Sequence, residues 1–319
     1  MSRLVLAALL LAACGGGGEP DVVPEKLSGW GLFSDARAQL PADGVEPYEL
    51  NAPLFSDGAV KHRFFRLPEG GKIGVAADGR WEFPAGTVLV KTFGFGERLV
   101  ETRLLVNEAG SWQAYVYQWD GDDATLTQVG ARVPVSTMGR EITYRVPNRV
   151  QCENCHGGTG AVRPLGPRTP QLERAGQIDD FVARGFFSAP PADRTAYPDP
   201  MDASAPLEAR ARAYLDANCA HCHRDGGAAQ QSGLWLNREM TDPLRIGICK
   251  PPVAAGRGTG GRKVAIMPGN PDASILIFRV SSEEAGVKMP ELPAVLSHPE
   301  GVALLREWIA AMPPDDCGL

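Results

Sequence analysis

Two pentapeptides, Cys152-Glu153-Asn154-Cys155-His156 and Cys219-Ala220-His221-Cys222-His223, share the pattern C-x-x-C-H. Two thiols one helical turn apart, followed directly by an imidazole, suit covalent attachment of c-type haem. Each thiol closes a thioether on a vinyl group, and the histidine binds iron from the proximal side. A zinc site of four cysteines and two histidines competes for the same residues, because thiolate and imidazole are also preferred zinc donors. Zinc gives no reason for a histidine to follow each second cysteine. The expectation is therefore two covalently bound c-type haems, one on Cys152, Cys155 and His156 and one on Cys219, Cys222 and His223.

A low-spin haem needs a sixth ligand, usually Met or His. Three Met-Pro pairs follow the second motif, at Met267, Met289 and Met312. Met289 occupies the loop before the last helical stretch and is the expected ligand of the second haem. His221 is expected to point to solvent, and His298 sits at a helix start. For the first haem the candidates are Met138, Met201 and His62, or no ligand at all. A vacant position would admit ligands or peroxide. Only His62 and His298 lie outside the motifs, so no Ser/His/Asp set is evident. Lys61 and Lys91 read as ordinary solvated residues.

The first residues carry Arg3, an apolar run over 4–11 and then Ala12-Ala13-Cys14. Such a run is too short to span a bilayer and reads as an export signal, 1–13, ending in a lipobox. Cys14 would carry the lipid, and 14–20 would be a Gly-rich tether. Gly15 favours outer-membrane sorting, so a periplasm-facing lipoprotein is expected. Of 7 cysteines, lipid takes one and haem four, leaving Cys249 and Cys317. In an oxidising compartment those two should form a disulfide. Net charge is −6 with no basic run, which argues against a nucleic-acid partner. The expected partners are periplasmic or membrane redox proteins, and the membrane through the lipid anchor.

These groups must be positioned by two kinds of segment. Over 21–147 the pattern is β: Asp78-Gly79 marks a hairpin, 112–119 alternates, and strands are predicted over 60–67, 86–95, 99–106, 125–135 and 141–146. The segment 148–204 holds the first motif, read as following a strand-like stretch, and a Pro-rich connector. Over 205–319, helical spacing predicts a helix at 207–217 running into the second motif. A last helix is predicted from Ser297, boxed by Glu300 and stopped by Pro313. The predicted fold class is α+β multidomain: a β-sandwich or barrel-like domain, then a mainly α-helical c-type cytochrome region with two haems, with 205–319 forming a monohaem domain.

The strings LNAPLFSDGAVKHRFFRLP (50–68), WEFPAGTVLVKTF (81–93), CENCHGG (152–158), RARAYLDANCAHCH (210–223), CKPPVAAGRGTGGR (249–262) and PGNPDASILIFRV with MPEL (268–292) resemble a family of exported bacterial dihaem c-type cytochromes, often lipoproteins. The resemblance spans nearly the whole mature chain. It implies the same six haem-attachment residues, is consistent with Met289, and supplies no substrate. The leading expectation is electron transfer. A peroxidase-like enzyme with a five-coordinate first haem fed by the second is one alternative. A ligand- or partner-binding β module, with a cleft lined by Trp112, Tyr115 or Trp119, is another.

Overall fold

A computed structural model describes residues 22–156, 161–291 and 294–319, apart from the side chains of Glu153 and Asn154. The expected signal segment, Cys14 and the tether lie outside these residues. Along the described chain run strands β1 (Phe33–Asp35), β2 (Leu40–Pro41), β3 (Val45–Pro47), β4 (Val60–Arg66), β5 (Gly74–Val75), β6 (Trp81–Glu82), β7 (Val88–Phe95), β8 (Arg98–Glu108), β9 (Ser111–Asp120), β10 (Asp123–Leu126), β11 (Ala131–Thr137) and β12 (Arg140–Val146). The helices are α1 (Arg149–His156), α2 (Thr169–Leu172), α3 (Gln177–Ala183), α4 (Leu207–Asn218), α5 (Pro243–Ile246), α6 (Ile275–Val280) and α7 (Pro299–Ala310).

The main framework is a six-stranded antiparallel sheet in the order β10-β9-β8-β7-β4-β3. Tight turns set its register. Ala109 and Gly110 join β8 to β9 with φ of 49° and 94°, the doubly positive conformation that matches the twist of the flanking strands. Residues facing each other across antiparallel strands share a face, so the pairings sort the side chains into two sets. Phe64, Val90, Leu104 and Tyr117 face the N-terminal segment and pack on Leu27, Trp30 and Leu32. The Trp30 indole N–H donates to the Tyr117 hydroxyl at 2.7 Å. On the opposite face, Phe65 and Leu89 pack against Leu172, Ile178 and Phe181. Further along that face, Phe93 and Val116 pack against Val133, Val135 and Tyr144 of the β11–β12 ribbon and against Cys152.

Two corrections to the expected fold class follow. Among the described residues 26% are strand and 22% helix, and the helices are short. The longest, α4 and α7, have 12 residues each, so the mainly α-helical cytochrome region expected from the sequence is not what forms. The physical reason lies in the segment between α4 and α7, where Pro243, Pro251, Pro252, Pro268, Pro271 and Pro290 repeatedly remove backbone donors, leaving turns and pieces no longer than α6. Nor is the N-terminal part a closed barrel or two-sheet sandwich. It is one open sheet whose second layer is coil, α2–α3 and two-stranded ribbons. The stretch expected as one strand over 125–135 is two, broken where Gly130 takes φ 71°.

The C-terminal core gathers Leu215, Ile266, Ile277, Leu305, Trp308 and Ile309 between α4, α6 and α7. Helix α7 starts at Pro299 with His298 as N-cap and no side-chain cap bond. The Ser297–Glu300 capping box is therefore absent, because Pro299 takes the first helical position that its fixed φ suits. The disulfide Cys249–Cys317 is present, with Cα atoms 5.1 Å apart. No helix among the described residues is long and apolar enough to cross a membrane.

Candidate functional site

The first motif lies on α1, not on a strand. Asn148 and Gln151 start that helix with a reciprocal capping box: Gln151 N–H donates to Asn148 Oδ1 at 2.9 Å, and Asn148 N–H to Gln151 Oε1 at 3.0 Å. Cys152 and Cys155 then fall one turn apart on one face, with His156 following. The His156 Nδ1 lies 2.9 Å from the Arg163 carbonyl oxygen. A carbonyl only accepts, so Nδ1 carries the proton and Nε2 is left with its lone pair, the form in which imidazole binds a metal. Burial lowers the His156 pKa, which favours that neutral form.

Cys152, Cys155 and His156 line a cavity of about 590 Å³ between the sheet and the C-terminal half, within the usual range for ligand and cofactor sites. His221, Met240 and Trp235 line it from the other side. Its roof carries a row of cations. Arg63, Lys91 and Arg103 are direct cross-strand neighbours on β4, β7 and β8, and all three line the cavity. Glu101, fully buried, accepts from Arg103 Nε at 2.9 Å and from the Tyr144 hydroxyl at 2.6 Å. Lys91 has no hydrogen bond or ion pair among the described residues; its ammonium sits 5.0 Å from the Phe93 ring centre. Burial together with Arg63 and Lys61 pushes its pKa well below the usual value. Lys91 is thus enclosed, against expectation. Lys61 is half-buried too, donating to the Leu54 carbonyl at 2.8 Å, and burial brings its pKa down to about 7.

The second motif follows α4 without a break, as the helical spacing suggested: Cys219 N–H donates to Leu215 O at 2.9 Å and His223 N–H to Cys219 O at 2.9 Å. The His223 Nδ1 lies 3.1 Å from Ser232 Oγ. That hydroxyl gives its own hydrogen to Ala229 O at 2.7 Å, so it accepts from His223, and Nε2 again keeps the lone pair. Burial lowers the His223 pKa to about 4 and raises that of Cys219 to about 12. Cys219 and Met289 line one cleft with Phe55, Tyr214, Leu296 and His298, so the expected ligand does face this motif. The cleft holds only about 10 Å³, room for one water.

The fit to haem therefore differs between the motifs. At the first, thiols, a lone-pair Nε2, a cavity of suitable size and unneutralised cations all agree with a haem bearing carboxylates. At the second the donors agree and the space does not; α4 would have to part from Met289, Pro290 and Leu296.

Sulfurs of the two motifs meet. Cys155 Sγ, Cys222 Sγ and a His221 ring nitrogen lie within 4.8 Å of one another. With Cys222 and His221 beside it, the Cys155 thiol is pushed below its usual pKa. His221 therefore points inward, not to solvent. Cys152, His156, Cys219 and His223 stand outside this group, so the competing zinc site of four cysteines and two histidines is not assembled among the described residues.

The other expected residues lie away from the cavity. Met138 and Met201 are each 42% exposed, and His62 pairs with Thr92 on the sheet face opposite Lys91. Trp119 is buried in the core with Leu27 and Trp30, Trp112 packs on Phe83, and the Tyr115 ring lies on the sheet face away from Lys91, 6.0 Å from the Trp30 ring. The chain matches no family model, no curated protein and no solved structure.

Proposed function

We propose that this chain is an exported, lipid-anchored dihaem c-type cytochrome that carries electrons between periplasmic or membrane redox partners. The observation that supports it best is the meeting of Cys155 with Cys222 within 4.8 Å. Each belongs to a different attachment motif, so cofactors tethered there would have neighbouring edges, as electron exchange between them needs. When bound, haem supplies one-electron chemistry at iron. The chain's own residues do the rest: Arg163 O and Ser232 Oγ fix the two histidine tautomers, and the sheet with α1 encloses the first site.

A second reading has its own support. None of Met138, Met201 and His62 lines the cavity at the first motif, which favours a ligand-binding or peroxide-reducing first haem unless His221 or Met240 closes the sixth position. Optical and EPR spectra of the haem-loaded protein, with and without CO and peroxide, separate the two. Two low-spin haems indifferent to CO are expected. A high-spin haem that binds CO or consumes peroxide would replace the carrier with the enzyme.

A further inference from the structure

We propose that Arg63, Lys91 and Arg103 form a carboxylate cradle for the two propionates of the haem that Cys152 and Cys155 carry. The inference rests on the haem reading above and assigns residues that no motif marks. Like charges placed directly across neighbouring strands repel one another, and a sheet keeps such a row only where something answers it. Here the register puts three cations side by side. Their exposure to bulk water is small: Arg63 is only 6% exposed, and the Arg103 side chain 24%.

Glu101 answers Arg103. Among the described residues the only carboxylate within ion-pair distance of Arg63 is that of Glu49, at 3.9 Å and 62% exposed. Lys91 has no anion within ion-pair distance among the described residues. With Lys91 protonated, the three cations of the row and the one buried carboxylate leave a charge of +2, and a haem brings two propionates. Of the other cavity arginines, Arg168 pairs with Asp216 and Glu239 and Arg80 with Asp78, whereas Arg145 on β12 and Arg224 after the second motif also line the cavity without an ion pair among the described residues, off the strand row. The row also lies between two apolar clusters, one around Phe65 and Leu89 and one around Phe93 and Val116. The sheet face thus offers apolar surface with charge across its middle, the pattern of a planar ring system with acidic side chains. The attachment thiols and His156 share the same cavity.

The test uses the full chain matured with haem, as wild type and as Lys91→Met and Arg63→Met. Haem per chain is counted first by pyridine haemochrome. Spectroelectrochemistry then gives both midpoint potentials, and resonance Raman the propionate bending bands. Ferric haem carries one more positive charge than ferrous, so a nearby cation raises the potential. The expected result is full haem content, a fall in one potential with the other unchanged, and a moved propionate band for one haem. Full haem content with the propionate bands unmoved overturns the cradle and leaves the haem reading standing. Saturable binding of succinate to the wild type, lost in Lys91→Met, also overturns it, because a free organic acid would then be the occupant. A wild-type chain without haem overturns both, and the haem count alone shows that. Should Arg63→Met fail to fold, Lys91→Met decides, since it removes an unanswered charge and keeps the stem.

Discussion

Glu101→Gln should destabilise the haem-free chain more than any other single change of one atom type in the sheet. The Glu101 carboxylate is completely buried, takes the Arg103 guanidinium in two bonds and accepts from Tyr144. Removing one charge of a buried pair costs about 3–5 kcal/mol, because the other charge stays behind without its counter-ion. A glutamine keeps an oxygen for the Tyr144 hydroxyl, which places the cost near the lower end, about 3 kcal/mol. In a domain of this size that lowers Tm by roughly 6–12 °C. The same structure predicts a partial rescue. With Glu101 neutralised, Arg63, Lys91 and Arg103 form a row of three cations with no buried anion, so adding Lys91→Met should recover at least about 1 kcal/mol beyond additivity. Thermal and urea unfolding of the two single variants and the double variant, followed by far-UV circular dichroism at one pH, close the cycle. A Glu101→Gln effect below about 1 kcal/mol, or strict additivity with Lys91→Met, would refute the view that this row is held by one carboxylate.

Other expectations follow from single features. Replacing Cys249 and Cys317 by serine opens a bond closing a separation of 68 residues, and by chain entropy should cost about 4 kcal/mol; unchanged urea midpoints would remove the disulfide from the account. Lys61, with its pKa brought down to about 7 by burial, is a base whose folded value lies below its unfolded one. Between about 7 and the ordinary lysine value the unfolded chain holds the extra proton, so stability should rise with pH there, and the rise should shrink in Lys61→Met. An equal rise in the variant would show that Lys61 is not its source. Met289→Ala should alter the spectrum and potential of one haem only, whereas Met138→Ala and Met201→Ala, on exposed residues, should alter neither.

Local signals in the chain were legible wherever neighbours in sequence settle the structure. Alternation over 112–119 became β9, Asp78-Gly79 became the β5–β6 hairpin, and helical spacing over 207–217 became α4 running into Cys219. Local chemistry also explains the misses. Pro299 moved the start of α7, Gly130 split a strand, and Asn148 with Gln151 three residues later is the box that begins α1 where a strand-like stretch was read. The closely spaced prolines of the C-terminal half likewise signalled turns where a helical domain was expected. Long-range placement was less accessible. Arg63, Lys91 and Arg103 become neighbours only through strand register, although Lys91 between apolar residues on both sides in VLVKTFGF was a hint of a buried cation. The approach of Cys155, His221 and Cys222 depends on how two distant segments dock, which no spacing encodes.

The most direct test of the central claim is intact mass together with pyridine haemochrome on chain matured in a c-type haem-attaching host. The wild type should gain the mass of two haems. Cys152→Ala with Cys155→Ala, and Cys219→Ala with Cys222→Ala, should each retain one. A wild-type chain that carries no covalent haem, or that instead returns zinc held by Cys155, His221 and Cys222, would contradict the account.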